Sequence, residues 1–600
     1  MSILRPRRTA ARYNRQSMTV TAHPSPPAAP IVILLALFAF GMSALVSRTV
    51  FERLPRLEDE LTYLFQARML ARGQLVIESP EPRRAYWQPF VVDYQGRRFG
   101  KYPPGWPLLL APGAALEQPW VVNAWLAALT AALVYRLGRD VFNPDAGLIA
   151  AALTAFSPMA LLLNATLMSH TAALACATAF LAAAARLERG RRPLRWGLAA
   201  GVALGLLVIN RPLAGIALAA PVAAWGLVRF VRAQRARLLT LKPLLALAAA
   251  ALLISAAIPL YNAAAAGDPA QNLYLLVWPY DHIGFGEGYG PRGHTLEKGL
   301  RQTRWDLSLA AADLFGWQIG PMPAPDLRLR TQAVYWPPVG VSWALIPLGL
   351  AVAGRRRWAA WAIWLGTGIA AFMLTTNLPV ETLRDPAFAY GWLALAAIWL
   401  TLPFAFLIVG QPNRQAAWAT VLLAVPLALI VLHSAYWIGA QVYSTRYYFE
   451  GLAAAALLSA LPLAALARRW RRWPVYAGLA AILLYSLYAY STPRITPLYR
   501  FNYVTPALNA AVEARRDGRP ALVIVAGSEV RWRALGSLMA VTSPFLDSPV
   551  VAAIDNLQPG TRAAIQARFP ARQVIEMYAV GNRACFDAAM AGECYGAPPG

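Results

Sequence analysis

The stretch that decides the fold begins at Ile31 and reads IVILLALFAFGMSALVSRTV as far as Val50. A helix of about twenty apolar residues is long enough to cross the hydrocarbon core of a bilayer, about 30 Å. Similar runs recur as far as Tyr490, and hydrophobic residues make up 58% of the chain against 14% charged residues. Soluble domains hold roughly 45–50% and about 25%, so the sequence predicts a polytopic α-helical membrane protein.

Thirteen apolar segments fit membrane crossings, and they alternate with segments rich in arginine. Their approximate cores are 31–50, 119–138, 146–166, 169–187, 194–210, 212–230, 243–261, 339–354, 358–376, 388–409, 416–437, 448–467 and 474–490. Because basic loops stay on the cytoplasmic side, this odd number predicts a cytoplasmic N-terminus and an extracytoplasmic C-terminus. We therefore expect an integral protein of the inner or plasma membrane, in contact with membrane lipids.

The net charge of +26 records this topology. Seven segments between alternate apolar runs, the first at residues 5–15 and the last at residues 468–472, hold 25 of the 55 basic residues and three of the 29 acidic ones. Basic residues gathered in short loops follow the positive-inside pattern. The charge therefore argues against a nucleic-acid partner.

The chain divides into three predicted parts. Residues 1–30 form a basic cytoplasmic segment, residues 31–498 form the membrane domain, and residues 499–600 form a small extracytoplasmic α/β domain. The membrane domain carries two outer loops, 51–118 and 262–338, that are too long to be simple connectors. We expect these two loops and the C-terminal domain to lie on the same side of the membrane.

The first outer loop shows clear local patterns. Residues 58–70 have a helical pattern that ends at Gly73, and residues 90–99 read as a hairpin with Gly96 at its turn. A stiff loop, Gly100-Lys101-Tyr102-Pro103-Pro104-Gly105-Trp106-Pro107, leads back to the membrane. In the second loop, residues 296–315 are amphipathic and predict a helix that lies along the membrane interface.

The C-terminal segment predicts two buried strands, 521–526 and 573–578, with a helix at 562–568 between them. Cys585 and Cys594 also lie in this segment. Disulfides persist in extracytoplasmic compartments, so we predict that these two cysteines pair.

Three consecutive carboxylates, Glu58-Asp59-Glu60, open the first outer helix. Adjacent like charges favour a raised pKa on at least one of them. Acidic residues also suit the first turn of any helix, so a capping role is the alternative. The functional interpretation gains from the aromatic and polar face that follows, which includes Tyr63.

Lys101 is one of three lysines in a chain with 52 arginines. It precedes two prolines that restrict the backbone, which suits a fixed cation for an anionic group. The alternative is a lysine whose ammonium group reaches the interfacial water.

Four further ionisable residues lie at the outer ends of apolar runs, where such residues are costly and often functional. They are His170, Arg211, Arg446 and Glu450. An ion pair between Arg446 and Glu450, four residues apart, is a structural alternative for both. A buried core histidine is the alternative for His170. With Asp59 and Lys101, these residues offer a carboxylate for proton abstraction and cations for a phosphate on one membrane face.

The order of these motifs resembles the GT-C superfamily of glycosyltransferases, in the branch of the protein O-mannosyltransferases and lipid A aminoarabinose transferases. Asp59-Glu60, followed by Tyr63, resembles the Asp-Glu motif of the family's first outer loop, and Lys101-Tyr102-Pro103-Pro104 resembles its Lys-Pro-Pro element with one inserted tyrosine. Arg446-Tyr447-Tyr448 resembles bacterial members. The resemblance covers about residues 31–490.

This resemblance implies a hexosyl- or pentosyltransferase that uses a polyprenyl-phosphate-linked sugar on the extracytoplasmic face. It implies Asp59 as the base for the acceptor hydroxyl, Glu60 as its catalytic neighbour and Lys101 as a phosphate ligand. Arg211 and Arg446 are added as phosphate ligands on physical grounds. Tyr63, His170, Tyr447 and Glu450 are candidates for the lining of the site.

The acceptor, a glycan, lipid or protein, stays open, and the scheme needs neither a cofactor nor a metal ion. Two other functions remain as alternatives. One is a ligase or polymerase of lipid-linked glycans. The other is a transporter or flippase, although transporters place their ionisable residues near the middle of the membrane.

Overall fold

The computed structural model describes residues 28–232, 237–319, 339–354, 357–409, 413–439 and 443–598. Most of the predicted N-terminal basic segment lies outside these residues, as does the end of the second outer loop, residues 320–338.

The secondary structure is mostly helical. The helices are α1 (Ala28–Thr49), α2 (Glu58–Ala71), α3 (Gly105–Ala115), α4 (Trp120–Val141), α5 (Pro144–Ala155), α6 (Pro158–Leu163), α7 (His170–Glu188), α8 (Pro193–Asn210), α9 (Pro212–Arg232), α10 (Arg237–Ser255), α11 (Ala257–Ala266), α12 (Leu296–Asp313), α13 (Leu345–Ala353), α14 (Trp358–Thr376), α15 (Val380–Arg384), α16 (Pro386–Val409), α17 (Arg414–Ser434), α18 (Leu452–Arg469), α19 (Arg472–Ser486), α20 (Thr492–Ile495), α21 (Pro506–Ala514), α22 (Trp532–Val541) and α23 (Thr561–Arg568). The strands are β1 (Ile77–Glu78), β2 (Val91–Tyr94), β3 (Arg97–Gly100), β4 (Gln318–Ile319), β5 (Val339–Gly340), β6 (Ala521–Ala526), β7 (Val550–Asp555), β8 (Gln573–Val580), β9 (Arg583–Cys585) and β10 (Cys594–Gly596).

Eleven helical segments in the described part of the chain are long and apolar enough to span a membrane. They coincide with eleven of the thirteen predicted crossings, and the protein is a polytopic helical membrane protein. Two predicted crossings are wrong as single spans. Segment 146–166 is divided into α5 and α6, because Pro158 begins a new helix after Ser157. Segment 339–354 contains β5 and the nine-residue helix α13.

The apolar character of the divided segment has a different origin from membrane crossing. Almost every residue of α5 and α6 is buried, and α5 packs against α4 and α18. A helix can be apolar on all sides because other helices surround it or because lipid does, and here the surroundings are other helices.

Ion pairs between helices lie at the helix ends opposite to those that carry the predicted site. Arg186 Nε lies 2.7 Å from Asp140 Oδ2, and Arg414 Nε lies 2.8 Å from Glu188 Oε2. These contacts join the ends of α4 and α7 to the start of α17. The start of α7, at His170, lies at the opposite end of that helix, toward the predicted outer loops.

The first outer loop folds much as its sequence predicts. Helix α2 spans Glu58–Ala71, and Gly73 follows it with a φ of +73°. Strands β2 and β3 form an antiparallel hairpin, and Gly96 at its turn has a φ of +75°. Lys101 and Tyr102 follow β3 directly, so the hairpin and α3 together set the position of these two side chains.

The C-terminal segment forms a small α/β unit. Its sheet has the order β10-β9-β8-β6-β7, with β8, β6 and β7 parallel and the other pairs antiparallel. The predicted strands and the helix at 561–568 are present, whereas β7 and α22 were not predicted. Cys585 and Cys594, which face each other on β9 and β10, form the predicted disulfide.

The unit docks on α2. Leu61 of α2 is buried in the unit's apolar core, and Arg68 Nη1 donates to the carbonyl oxygen of Ala540 at 2.6 Å. Arg72 pairs with Asp547 at 2.6 Å. The unit therefore lies against the helix that begins with the three carboxylates.

Candidate active site

A large cavity of about 1210 Å³ lies where α2, the outer loops and the ends of several membrane helices meet. The predicted site residues that line it are Asp59, Tyr63, Lys101, His170, Arg211, Arg446 and Tyr447. Residues separated by hundreds of positions in the chain thus face one volume. The cavity also has apolar walls, which include Leu213, Val277 and Ile438.

The three carboxylates at the start of α2 have different surroundings, because successive helix positions point about 100° apart. Glu58 and Asp59 line the cavity. The carboxylate of Asp59 accepts a hydrogen bond from the Tyr102 hydroxyl at 2.7 Å to Oδ1. Burial raises the pKa of Glu58, and the neighbouring Trp532 acts in the opposite direction.

Glu60 differs from the prediction, because it does not line the cavity. Its side chain is buried, and it accepts hydrogen bonds from the backbone N–H of Arg56 at 2.5 Å and of Leu167 at 3.3 Å. Burial raises the pKa of Glu60 to about 7, while these N–H groups act in the opposite direction. Glu60 therefore ties the start of α2 to the loop that precedes His170.

Lys101 lies in an aromatic enclosure. Its ammonium nitrogen is 3.7 Å from the ring centroid of Phe90 and 4.4 Å from that of Trp278, and Tyr274 lies at 5.0 Å. Asp281 Oδ2 is 3.7 Å away. Burial lowers the pKa of Lys101, and the carboxylate of Asp281 opposes that shift. The lysine is fixed in place and not extended toward interfacial water.

The inserted Tyr102 has a defined place in the site. Its ring lies 4.5 Å from that of Tyr63 and 6.0 Å from that of Phe90, centroid to centroid. Its hydroxyl orients Asp59, while the preceding residue, Lys101, reaches Asp281. The adjacent residues Lys101 and Tyr102 thus place the cation of the site next to the residue that holds its acid, Asp59.

The two arginines are held differently. Arg211 Nε lies 2.7 Å from Glu450 Oε1, so Glu450 pairs with the residue that links α8 to α9. The alternative pair between Arg446 and Glu450 does not form. Glu450 is fully buried and does not line the cavity, which corrects its predicted place. Both guanidinium groups lie near the ring of Tyr447, at 5.6 Å for Arg211 and 5.4 Å for Arg446.

Arg446 has unused donors. Its Nε and Nη1 are buried and have no hydrogen-bond partner among the residues that the structure describes. A buried donor without a partner costs free energy, and this guanidinium group faces the cavity. Arg446 is therefore well suited to bind an anion.

Several lining residues were not predicted. Asp281, Trp278 and Tyr274 come from the second outer loop, and Trp532 comes from the C-terminal unit. His433, at the end of α17, stacks on Tyr447 with ring centroids 5.0 Å apart. The aromatic residues around Asp281 were a possible signal, because a lone carboxylate among them is expensive to bury without a cation.

The cavity thus brings the carboxylate of Asp59 together with the predicted cations, Lys101, Arg211 and Arg446, beside apolar walls. Among the described residues, no group of three or more His, Cys, Asp and Glu side chains is placed to hold a metal ion.

Residues 102–260 match the family model of the dolichyl-phosphate-mannose-protein mannosyltransferases. The match confirms, over these residues, the resemblance to the O-mannosyltransferase branch of GT-C glycosyltransferases. No curated protein sequence matches the chain.

Solved structures with a similar course of the chain include ArnT from Cupriavidus metallidurans bound to undecaprenyl phosphate. The identity is 15%, the TM-score is 0.44, and the alignment covers 92% of this chain and 90% of that one. Another is the oligosaccharyltransferase AglB from Archaeoglobus fulgidus in complex with an inhibitory peptide and a dolichol-phosphate. There the identity is 17%, the TM-score 0.42, and the coverage 88% of this chain and 64% of that one.

Proposed function

We propose that the protein is a glycosyltransferase that moves a sugar from a polyprenyl-phosphate carrier to an acceptor hydroxyl on the extracytoplasmic membrane face. The observation that carries the proposal is the shared cavity of Asp59, Lys101, Arg211 and Arg446. The apolar walls of this cavity suit the isoprenoid chain of such a donor. The match to a family of mannosyltransferases supports a lipid-linked donor.

In the proposed reaction, Asp59 takes the proton of the acceptor hydroxyl while the hydroxyl oxygen attacks the anomeric carbon of the donor sugar. The bond between that carbon and the phosphate oxygen breaks, and the electron pair leaves with the polyprenyl phosphate. Tyr102 holds Oδ1 of Asp59, so Oδ2 is the oxygen that we assign to the proton. A single displacement inverts the anomeric centre, since no second carboxylate acts as a nucleophile.

The cations stabilise the leaving phosphate as its charge develops. Arg446 offers two donor nitrogens, Nε and Nη1, that have no hydrogen-bond partner among the described residues. Lys101 offers an ammonium group that Asp281 only partly engages at 3.7 Å. The scheme that we propose needs no metal ion for this stabilisation. EDTA should leave the transfer rate unchanged.

The test of the proposal is Asp59→Asn. The acceptor is not identified, so transfer is followed in cells as loss of one polyprenyl phosphosugar that accumulates in a deletion strain. Wild type should clear this lipid, whereas Asp59→Asn should slow its clearance by about 10²–10⁴-fold, the usual contribution of a general base. Glu58→Gln, one residue earlier, should slow it far less.

Donor binding separates this enzyme from a transporter. Purified Asp59→Asn protein should still bind undecaprenyl phosphate in native mass spectrometry, because the proposed phosphate ligands are intact. Normal clearance by Asp59→Asn would contradict the enzymatic proposal and favour a flippase. The alternative of a ligase or polymerase would show as accumulation of long lipid-linked glycans in place of a single phosphosugar.

A further inference from the structure

His170 and Asn210 carry four buried polar atoms without a hydrogen-bond partner in the described ranges. These are both ring nitrogens of His170 and both polar atoms of the Asn210 amide. The residues are 1% and 6% exposed, and both line the cavity. Each buried polar atom left without a partner costs free energy, so a ligand that satisfies all four has a clear energetic advantage.

The fold positions these two side chains without giving them partners. His170 is the first residue of α7 and Asn210 the last residue of α8. The loop before His170 is fixed by Asn123, whose Nδ2 donates to the carbonyl oxygens of Thr166 at 2.7 Å and Met168 at 3.1 Å. Close packing fixes the backbone of Asn210, since a Cβ added to Gly105 would lie only 2.7 Å from its nitrogen.

Both residues adjoin the cations of the site. The His170 ring lies 6.5 Å from the ring of Tyr447 at an interplanar angle of 22°, and Arg446 and Arg211 flank the same tyrosine ring. Asn210 directly precedes Arg211. A group bound by His170 and Asn210 would therefore be close to a phosphate bound by the arginines.

Arg446 on one side of the cavity and the pair His170 and Asn210 on a second wall differ in their hydrogen-bonding chemistry. Arg446 only donates hydrogen bonds, which suits a phosphate, because phosphate oxygens accept them. Neutral His170 offers one donor and one acceptor, and the Asn210 amide offers both kinds as well. A phosphate would leave the acceptors of this second wall without a partner, whereas a hydroxyl group both donates and accepts.

We infer that His170 and Asn210 form the subsite that binds hydroxyl groups of the donor sugar. The inference rests on the proposed function and adds to it the residues that distinguish a phosphosugar from its bare carrier. Sugar specificity would then reside at the start of α7 and the end of α8, in residues other than the phosphate ligands.

The experiment compares two kinds of lipid on the purified full chain by native mass spectrometry. The probes are undecaprenyl phosphate and a panel of its glucose, mannose, galactose, arabinose and 4-amino-4-deoxyarabinose derivatives. The variants are His170→Phe and Asn210→Leu. The control is His294→Phe, which changes a buried histidine that lies outside the cavity and contacts the carbonyl oxygen of Ser434.

Wild type should bind at least one phosphosugar more tightly than undecaprenyl phosphate. Each subsite variant should reduce that preference about tenfold and leave the affinity for undecaprenyl phosphate unchanged, as expected for loss of hydrogen bonds to an uncharged group. The control should keep the preference of wild type.

Two results would overturn the inference alone. In one, wild type binds undecaprenyl phosphate but prefers no phosphosugar. In the other, both subsite variants weaken the two kinds of lipid equally, as a purely structural defect would. If wild type bound none of these lipids, the proposed function itself would fail.

Discussion

Replacing Arg446 by glutamine should separate donor binding from stability. Arg446 is 8% exposed, and its Nε and Nη1 have no hydrogen-bond partner among the described residues. Its charge also has no ion-pair partner within 4 Å in that part of the chain. We therefore expect Arg446→Gln to leave the melting temperature of the lipid-free protein unchanged or to raise it.

Donor binding should respond in the opposite way. A charge-assisted hydrogen bond to phosphate contributes about 1.5–3 kcal/mol. Losing one such contact corresponds to a rise in Kd of roughly 10- to 150-fold. Glutamine retains an amide donor, so the lower end of this range applies if its N–H reaches the phosphate.

Arg211→Gln is the matched comparison, because the second arginine lies beside the same tyrosine ring but pairs with Glu450. Removing one partner of a buried ion pair costs about 3–5 kcal/mol, so this variant should be clearly less stable. Both proteins are purified in detergent, and thermal unfolding and titration with undecaprenyl phosphate are measured on the same samples. If Arg446→Gln bound this lipid as tightly as wild type, the assignment of Arg446 to the phosphate would be refuted.

Two further predictions concern charged groups in and beside the cavity. Lys101→Met should weaken binding of undecaprenyl phosphate by about tenfold or more. Asp281→Asn, which removes the competing carboxylate at 3.7 Å, should not weaken it. Equal affinity of Lys101→Met and wild type for this lipid would show that Lys101 does not bind the phosphate. Because burial raises the pKa of Glu60 from 4.5 to about 7, the folded protein keeps this proton in a pH range where the unfolded chain has lost it. The free energy of unfolding should therefore fall as pH rises from about 4.5 to 7, by at most about 3 kcal/mol. Glu60→Gln should flatten this dependence in thermal unfolding scans at several pH values, and an unaltered slope would contradict the assignment.

The sequence by itself determined the membrane architecture. Apolar runs near twenty residues long are set by the thickness of the bilayer, so eleven predicted crossings reappear as helices. The prediction of one crossing at residues 146–166 was wrong, because burial among other helices and burial in lipid select the same apolar residues. The segment is divided at Pro158, and α5 packs between α4 and α18.

Part of the candidate site could be predicted from the sequence. A charged residue such as Lys101 or Arg446 is conspicuous in an apolar chain, because its burial needs compensation. Local patterns also predicted α2 and the hairpin that precedes Lys101. The direction of each carboxylate at the start of α2 was not predictable, since only the surrounding loops decide which one faces the cavity.

Only the tertiary structure decided which charges meet. Spacing along a helix suggested Arg446 as the partner of Glu450, whereas the folded chain brings Arg211 to Glu450 and leaves donors of Arg446 facing the cavity. Likewise, Lys101 meets Asp281 from a distant loop. Sequence spacing describes neighbours on one helix, but contacts between helices depend on the packing of the whole bundle, and that packing made one arginine structural and left the other available for a ligand.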